Sequence, residues 1–138
     1  MRTYQARRAK ATPPLRGHVI ECRVNAEDPA HNFQPSPGKI DVFHPPGGHG
    51  VRLDTHAYAG YTVPPFYDSL IAKVIVHGRD REEAIAKMRL ALDTFIVQGV
   101  ATTIPFLGRV MADPTFVAGS VHTRFLEEEG AHLMREEE

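Results

Sequence analysis

Apolar and polar residues alternate over residues 17–25, with Ile20, Cys22 and Val24 on one side and Glu21, Arg23 and Asn25 on the other. Strand side chains switch sides at each residue, so this pattern predicts a half-buried strand. Pro35-Ser36-Pro37-Gly38 predicts a turn, because proline presets φ and glycine permits positive φ. Residues 39–44 predict a second strand, Pro45-Pro46-Gly47-Gly48-His49-Gly50 a loop, and residues 51–55 a short third strand. Pro64-Pro65 excludes a central strand over residues 62–67. Residues 70–76 are rich in β-branched side chains and predict a buried strand.

The period then becomes helical. Asp80 is a capping residue, and Glu83 follows at the capping-box spacing. Ile85, Met88, Leu92 and Phe95 form one apolar stripe, which places Arg81, Glu82, Lys87 and Arg89 in solvent. Residues 95–97 turn extended before Gly99. A second helix is predicted over residues 103–111, with Pro105 in its first turn, and a third over residues 123–129. Strands precede helices, so the fold class is α+β: mainly an antiparallel β-sheet with C-terminal helices.

Composition narrows the function classes. A net charge of −1 lacks the basic excess of a nucleic-acid binder. The longest apolar stretch, broken by Lys73, falls far short of the roughly 20 residues of a membrane span. The first residues carry arginines without an apolar core, so no signal peptide is expected. The one cysteine, Cys22, excludes an internal disulfide and fits a reducing, cytoplasmic compartment. It lies on the inward face of its strand and reads as core. Residues 1–14 read as a disordered or non-native tail, residues 15–129 as one domain, and residues 130–138 as an acidic tail ending Glu136-Glu137-Glu138. No internal repeat is present.

Most candidate chemistry falls away. His44, His49 and His56 lack zinc-ligand spacing, so no metal site is expected. The loop around Gly47 and Gly48 lacks the Gly-Lys-Ser/Thr ending of a phosphate loop. Arg23 remains. A guanidinium on a rigid strand is always charged and planar, a good partner for a developing oxyanion. A surface ion pair with Glu21 or Glu27 is the commoner role for such a residue, and from the residues alone it is the favoured one.

The run Gly17-His18-Val19-Ile20-Glu21-Cys22-Arg23-Val24-Asn25-Ala26-Glu27-Asp28-Pro29 resembles the start of the biotin carboxylase C-terminal domain. Pro35-Ser36-Pro37-Gly38-Lys39-Ile40 and Pro45-Pro46-Gly47-Gly48 follow at family spacing. Tyr58-Ala59-Gly60-Tyr61-Thr62-Val63-Pro64-Pro65 and Tyr67-Asp68-Ser69-Leu70-Ile71-Ala72-Lys73 complete the set. Together and in order these motifs are specific, and they span residues 15–127.

The resemblance implies a complete enzyme that uses ATP and Mg²⁺ to activate bicarbonate and carboxylates biotin on a biotin carboxyl carrier protein. An ATP-grasp part would hold nearly all nucleotide and metal ligands, and a carboxyltransferase would act next. Helix and tail look most like the acetyl-CoA carboxylase type. By resemblance Arg23 is catalytic and substrate-binding: it faces bicarbonate and stabilises the oxygen of deprotonated biotin. This reverses the ion-pair reading. His49, Arg52, Asp68 and Lys87 match homodimer-interface positions, although His49 replaces what is often an aromatic residue. Thr123 matches the edge of the adenine pocket, as a thinner apolar contact. Residues 1–14 depart from the family, and the chain reads as a C-terminal fragment, inactive without its ATP-grasp part. The alternative is a non-catalytic module that dimerises or docks the carrier protein.

Overall fold

The computed structural model describes residues 13–133. In chain order it runs β1 (His18–Asn25), β2 (Glu27–Asp28), a 3-10 turn (Pro29–His31), β3 (Gln34–Pro35), β4 (Gly38–Lys39) and β5 (Val42–His44). Then come β6 (Val51–Thr55), β7 (Thr62–Val63), β8 (Leu70–Gly78), α1 (Arg81–Thr94) and β9 (Ile96–Gln98). The chain closes with α2 (Ile104–Ala112), α3 (Pro114–Val117) and α4 (Phe125–Leu133). Every strand pair is antiparallel, and the class is α+β.

The main sheet has the order β1-β8-β6. Ile20, Cys22 and Val24 face Val76, Val74 and Ala72 across the β1–β8 ladder, and all six are buried. Val51 and Leu53 of β6 face Val76 and Val74 from the other edge. α1 covers this apolar face with Ala84, Ile85, Met88, Ala91 and Leu92. The alternation and the stripe read from the sequence therefore meet in one core.

The start of α1 is fixed by Asp80, whose side chain accepts the Glu83 N–H at 2.9 Å. Glu83 reaches back one residue further than a capping box requires, to the Arg79 N–H at 3.1 Å. α1 ends as Phe95 turns extended, leading into β9. Gly99 follows at φ +103°, and a Cβ there would stand 2.2 Å from the Lys39 carbonyl oxygen, so only glycine fits this crossing.

Several expectations are corrected. Residues 39–44 are not one strand: β4 pairs with β7 and β5 with β9. Between them the Ile40 N–H goes to the Tyr61 oxygen and the Asp41 N–H to the Gln98 oxygen, so the chain changes partners while Ile40 stays fully buried. β7 ends where Pro64-Pro65 begins, in agreement with the proline argument. α3 did not emerge from the periodicity because it is a single turn; Asp113 caps it by accepting the Thr115 and Phe116 N–H groups. That turn also changes Arg81. The guanidinium lies 4.9 Å from the Phe116 ring centre, half-buried rather than in solvent, and donates to the Phe116 carbonyl. Lys87 likewise leaves solvent to bind the end of β8. The last helix starts later and runs further than the sequence pattern, to a buried Leu133. Residues 1–12, most of the tail read from composition, and the Glu136-Glu137-Glu138 ending lie outside the described residues.

Candidate active-site face

The outward side of the main sheet is polar where its inner side is apolar. Strand alternation puts Glu21, Arg23 and Asn25 of β1 there. The register brings Lys73 directly across from Arg23, and Asp54 of β6 directly across from Lys73. Arg52, on the same edge, makes a two-pronged pair with Asp54 at 2.9 and 2.8 Å. That fork, aided by Lys73, holds the Asp54 carboxyl below the usual carboxylate range. A shallow cleft of about 310 Å³ lies between Asp54, His56, Leu70 and Lys73.

Arg23 is exposed and, among the described residues, has no carboxylate oxygen within 4.0 Å. The ion pair with Glu21 or Glu27 does not form. Glu27 instead accepts Asn25 Nδ2 at 3.2 Å and the Ser69 hydroxyl. The guanidinium therefore stands on a packed strand with its donors open to an external anion, beside a second cation.

The end of β1 is held from its free edge as well. Thr103 sits at the N-cap position of α2, where a threonine hydroxyl ordinarily accepts from the helix's own first turn. It does not do so here. Its Oγ1 accepts the Asn25 N–H at 3.0 Å, and its own N–H donates to the Asn25 oxygen at 3.0 Å. Thr103 is buried. Neither Thr103 nor Ser69 was a candidate site residue from the sequence, because both partnerships join distant parts of the chain.

The other candidates scatter. His49 is exposed in the turn closed by the Val51 N–H to the Gly48 oxygen at 3.2 Å. Lys87 arrives at the same end of the sheet, donating to the His77 oxygen at 3.0 Å and pairing with Glu83 at 3.0 Å. Gly50 permits this approach: at φ +76°, a Cβ would lie 2.6 Å from the His77 oxygen and 3.1 Å from Lys87 Nζ. Asp68 is exposed at the opposite end of β8, where it accepts the Leu70 N–H at 2.9 Å. Thr123 is exposed in the turn before α4, between His122 and Arg124, which both pair with Glu128. None of the contacts among described residues joins Thr123 to Arg23. No three His, Cys, Asp or Glu side chains gather as a cation site among the described residues. No described helix is long and apolar enough to cross a membrane.

The main sheet of this antiparallel α+β domain presents Arg23 on its outward face without a carboxylate partner among the described residues. Residues 21–128 match the sequence profile of the biotin carboxylase C-terminal domain, and the chain belongs to this family. It is 56% identical over 111 residues to biotin carboxylase 1 of Bacillus subtilis, covering 80% of this chain and 25% of that protein. The biotin carboxylase domain of a thermophilic 2-oxoglutarate carboxylase bound to bicarbonate superposes with a TM-score of 0.87 at 42% identity, covering 95% of this chain and 30% of its own. The corresponding domain dimer from Hydrogenobacter thermophilus, solved with MgADP, ADP and bicarbonate, gives a TM-score of 0.84 at 46% identity, over 89% and 27% of the two chains. The chain spans about a quarter of the length of the curated relatives it matches.

Proposed function

We propose that this domain forms one wall of a biotin carboxylase active site and that Arg23 is its catalytic and substrate-binding residue. The carrying observation is the open guanidinium on β1 in a chain of this family. Bicarbonate would bind against Arg23. When the ureido nitrogen of biotin loses its proton, negative charge moves to the ureido oxygen, and a fixed planar cation there lowers the barrier without reorganising. Lys73 adds positive potential and leaves Arg23 unneutralised.

ATP and Mg²⁺ would supply the phosphoryl transfer that activates bicarbonate. The metal and most nucleotide ligands would belong to an ATP-grasp part. Thr123 would edge the adenine. His49, Arg52, Asp68 and Lys87 would contribute to a homodimer interface, His49 and Lys87 as one patch and Asp68 as another. The biotin would arrive on a carrier protein in the cytoplasm, and a carboxyltransferase would consume the product.

The test is bicarbonate-dependent ADP release with free biotin and Mg²⁺. This chain alone is expected to show none; joined to an ATP-grasp part, it is expected to turn over. Activity of the chain alone above the blank would refute the division of labour. Failure of every folded reconstitution would favour the non-catalytic module.

A further inference from the structure

We propose that Glu27 is a positioning residue for Arg23, acting through Asn25; this rests on the reading of Arg23 given above. Two residues beyond Arg23 the β1–β8 ladder slips. Val24 faces Ala72 but Asn25 faces Leu70, leaving Ile71 as an extra residue on β8. Such a bulge sharpens the local twist and re-aims neighbouring side chains.

The end of β1 beyond the bulge is held through Asn25. Thr103 takes its N–H and its carbonyl on the free edge of β1, both at 3.0 Å. On the other side, Glu27 Oε1 accepts Asn25 Nδ2 at 3.2 Å and also the hydroxyl of Ser69, the residue before β8. The Ser69 carbonyl in turn accepts the Ala26 N–H at 2.7 Å. One carboxylate oxygen therefore bridges β1 and β8 where their own ladder is interrupted.

The amide orientation follows from chemistry, since a carboxylate only accepts and must meet Nδ2. Asn25 Oδ1 is then buried with no donor among the described residues. A fold seldom keeps such an orphan unless the geometry it allows is needed. Glu27 has no cation within 4.0 Å among the described residues. A half-buried carboxylate spent on two neutral donors sets orientation, not charge balance. What it orients is the strand end that carries Arg23, on the same face two residues away.

The experiment uses a biotin carboxylase carrying this domain, with Glu27→Ala, Glu27→Gln, Arg23→Ala and the double variant Arg23→Ala/Glu27→Ala. Glutamine keeps the Oε1 acceptor, so Glu27→Gln is expected to hold kcat within about threefold, while Glu27→Ala lowers it roughly tenfold, the scale of one lost hydrogen bond. KM for ATP stays unchanged in both. In the Arg23→Ala background, Glu27→Ala is expected to cost no further kcat, because nothing is left to position. An equal loss in both backgrounds overturns the proposal, as does full kcat in folded Glu27→Ala. Full kcat in folded Arg23→Ala overturns it together with the reading of Arg23, and does so with Glu27 untouched. If Glu27→Ala does not fold, Asn25→Ala cuts the same link from its other end. The same non-additivity with Arg23→Ala is then expected, and additive losses again refute the idea.

Discussion

Arg23 on β1 stands directly opposite Lys73 on β8, and both project from the outward face of the sheet. Like charges in this relation repel, while Asp54 on the far side of Lys73 offsets part of the cost, each effect about 0.2–1 kcal/mol. Lys73→Glu would hand Arg23 a neutralising neighbour. The expected result is a loss of at least about tenfold in kcat of a biotin carboxylase carrying this domain, on the scale of one weakened charge-assisted contact. Melting temperature should hardly move, because the new attraction to Arg23 is balanced by repulsion from Asp54. Unchanged kcat would show that an open Arg23 is not required.

Replacing Arg23 itself separates chemistry from scaffolding. Arg23→Ala in a biotin carboxylase carrying this domain is expected to lower kcat by about 10²–10³, the usual cost of one oxyanion donor. KM for ATP should stay constant, since a group acting in the transition state moves kcat. Arg23→Lys should rescue poorly, because an ammonium lacks the planar fork. Stability should persist, as the strand is packed by Ile20, Cys22 and Val24 on its other side. A lower melting temperature with normal kcat would make Arg23 structural.

Acid should loosen the start of α1. Hydrogen bonds from Arg79 and Lys87 hold the Glu83 carboxyl down, from 4.5 to about 2. The folded value lies below the unfolded one, so the contribution is complete above pH 4.5 and drains away as pH falls toward 2. Asp113, held low first by the Phe116 N–H and then by His132, adds in the same direction. Thermal melts of the domain should be flat between neutrality and about pH 5 and decline below that. Glu83→Gln should start less stable and decline less steeply; an identical slope would exclude Glu83 as a source.

Asp80→Ala removes the acceptor of the Glu83 N–H. The expected loss is about 1 kcal/mol, or roughly 3–5 °C in melting temperature for a domain of this size. Asp80→Asn should recover most of it. Equal melting temperatures for Asp80→Ala and the parent would mean that α1 is held by its packing alone.

Signals carried by a few consecutive residues are legible in the sequence, and partnerships between distant residues are not. The alternation around Cys22, the stripe through Met88, the cap at Asp80 and the proline limit at Pro64 each depend on a few consecutive residues, and each matches an element. The break at Ile40 was invisible, because an apolar residue between two strands looks the same whichever partner each strand chooses. Arg81 lies on the solvent side of the stripe, and the single turn that brings Phe116 beneath it has no periodicity to read. At the candidate site, Arg23 stood out through the family motif, its strand position having favoured an ion pair. The support given by Thr103, 78 residues away from Asn25, exists only in three dimensions.

The order β1-β8-β6 gives the domain a particular vulnerability at birth. The middle strand is the last of the three to be made. Until residues 70–78 have left the ribosome, β1 and β6 have no neighbour in the sheet, and Ile20, Cys22 and Val24 have no core to enter. Long-range pairings of this kind form slowly, and unpaired strands with apolar faces invite association with other chains. A chaperone that holds the segment carrying β1 and β6 until β8 emerges, or slow growth at low temperature, should therefore raise the soluble yield more than any change to the folded surface.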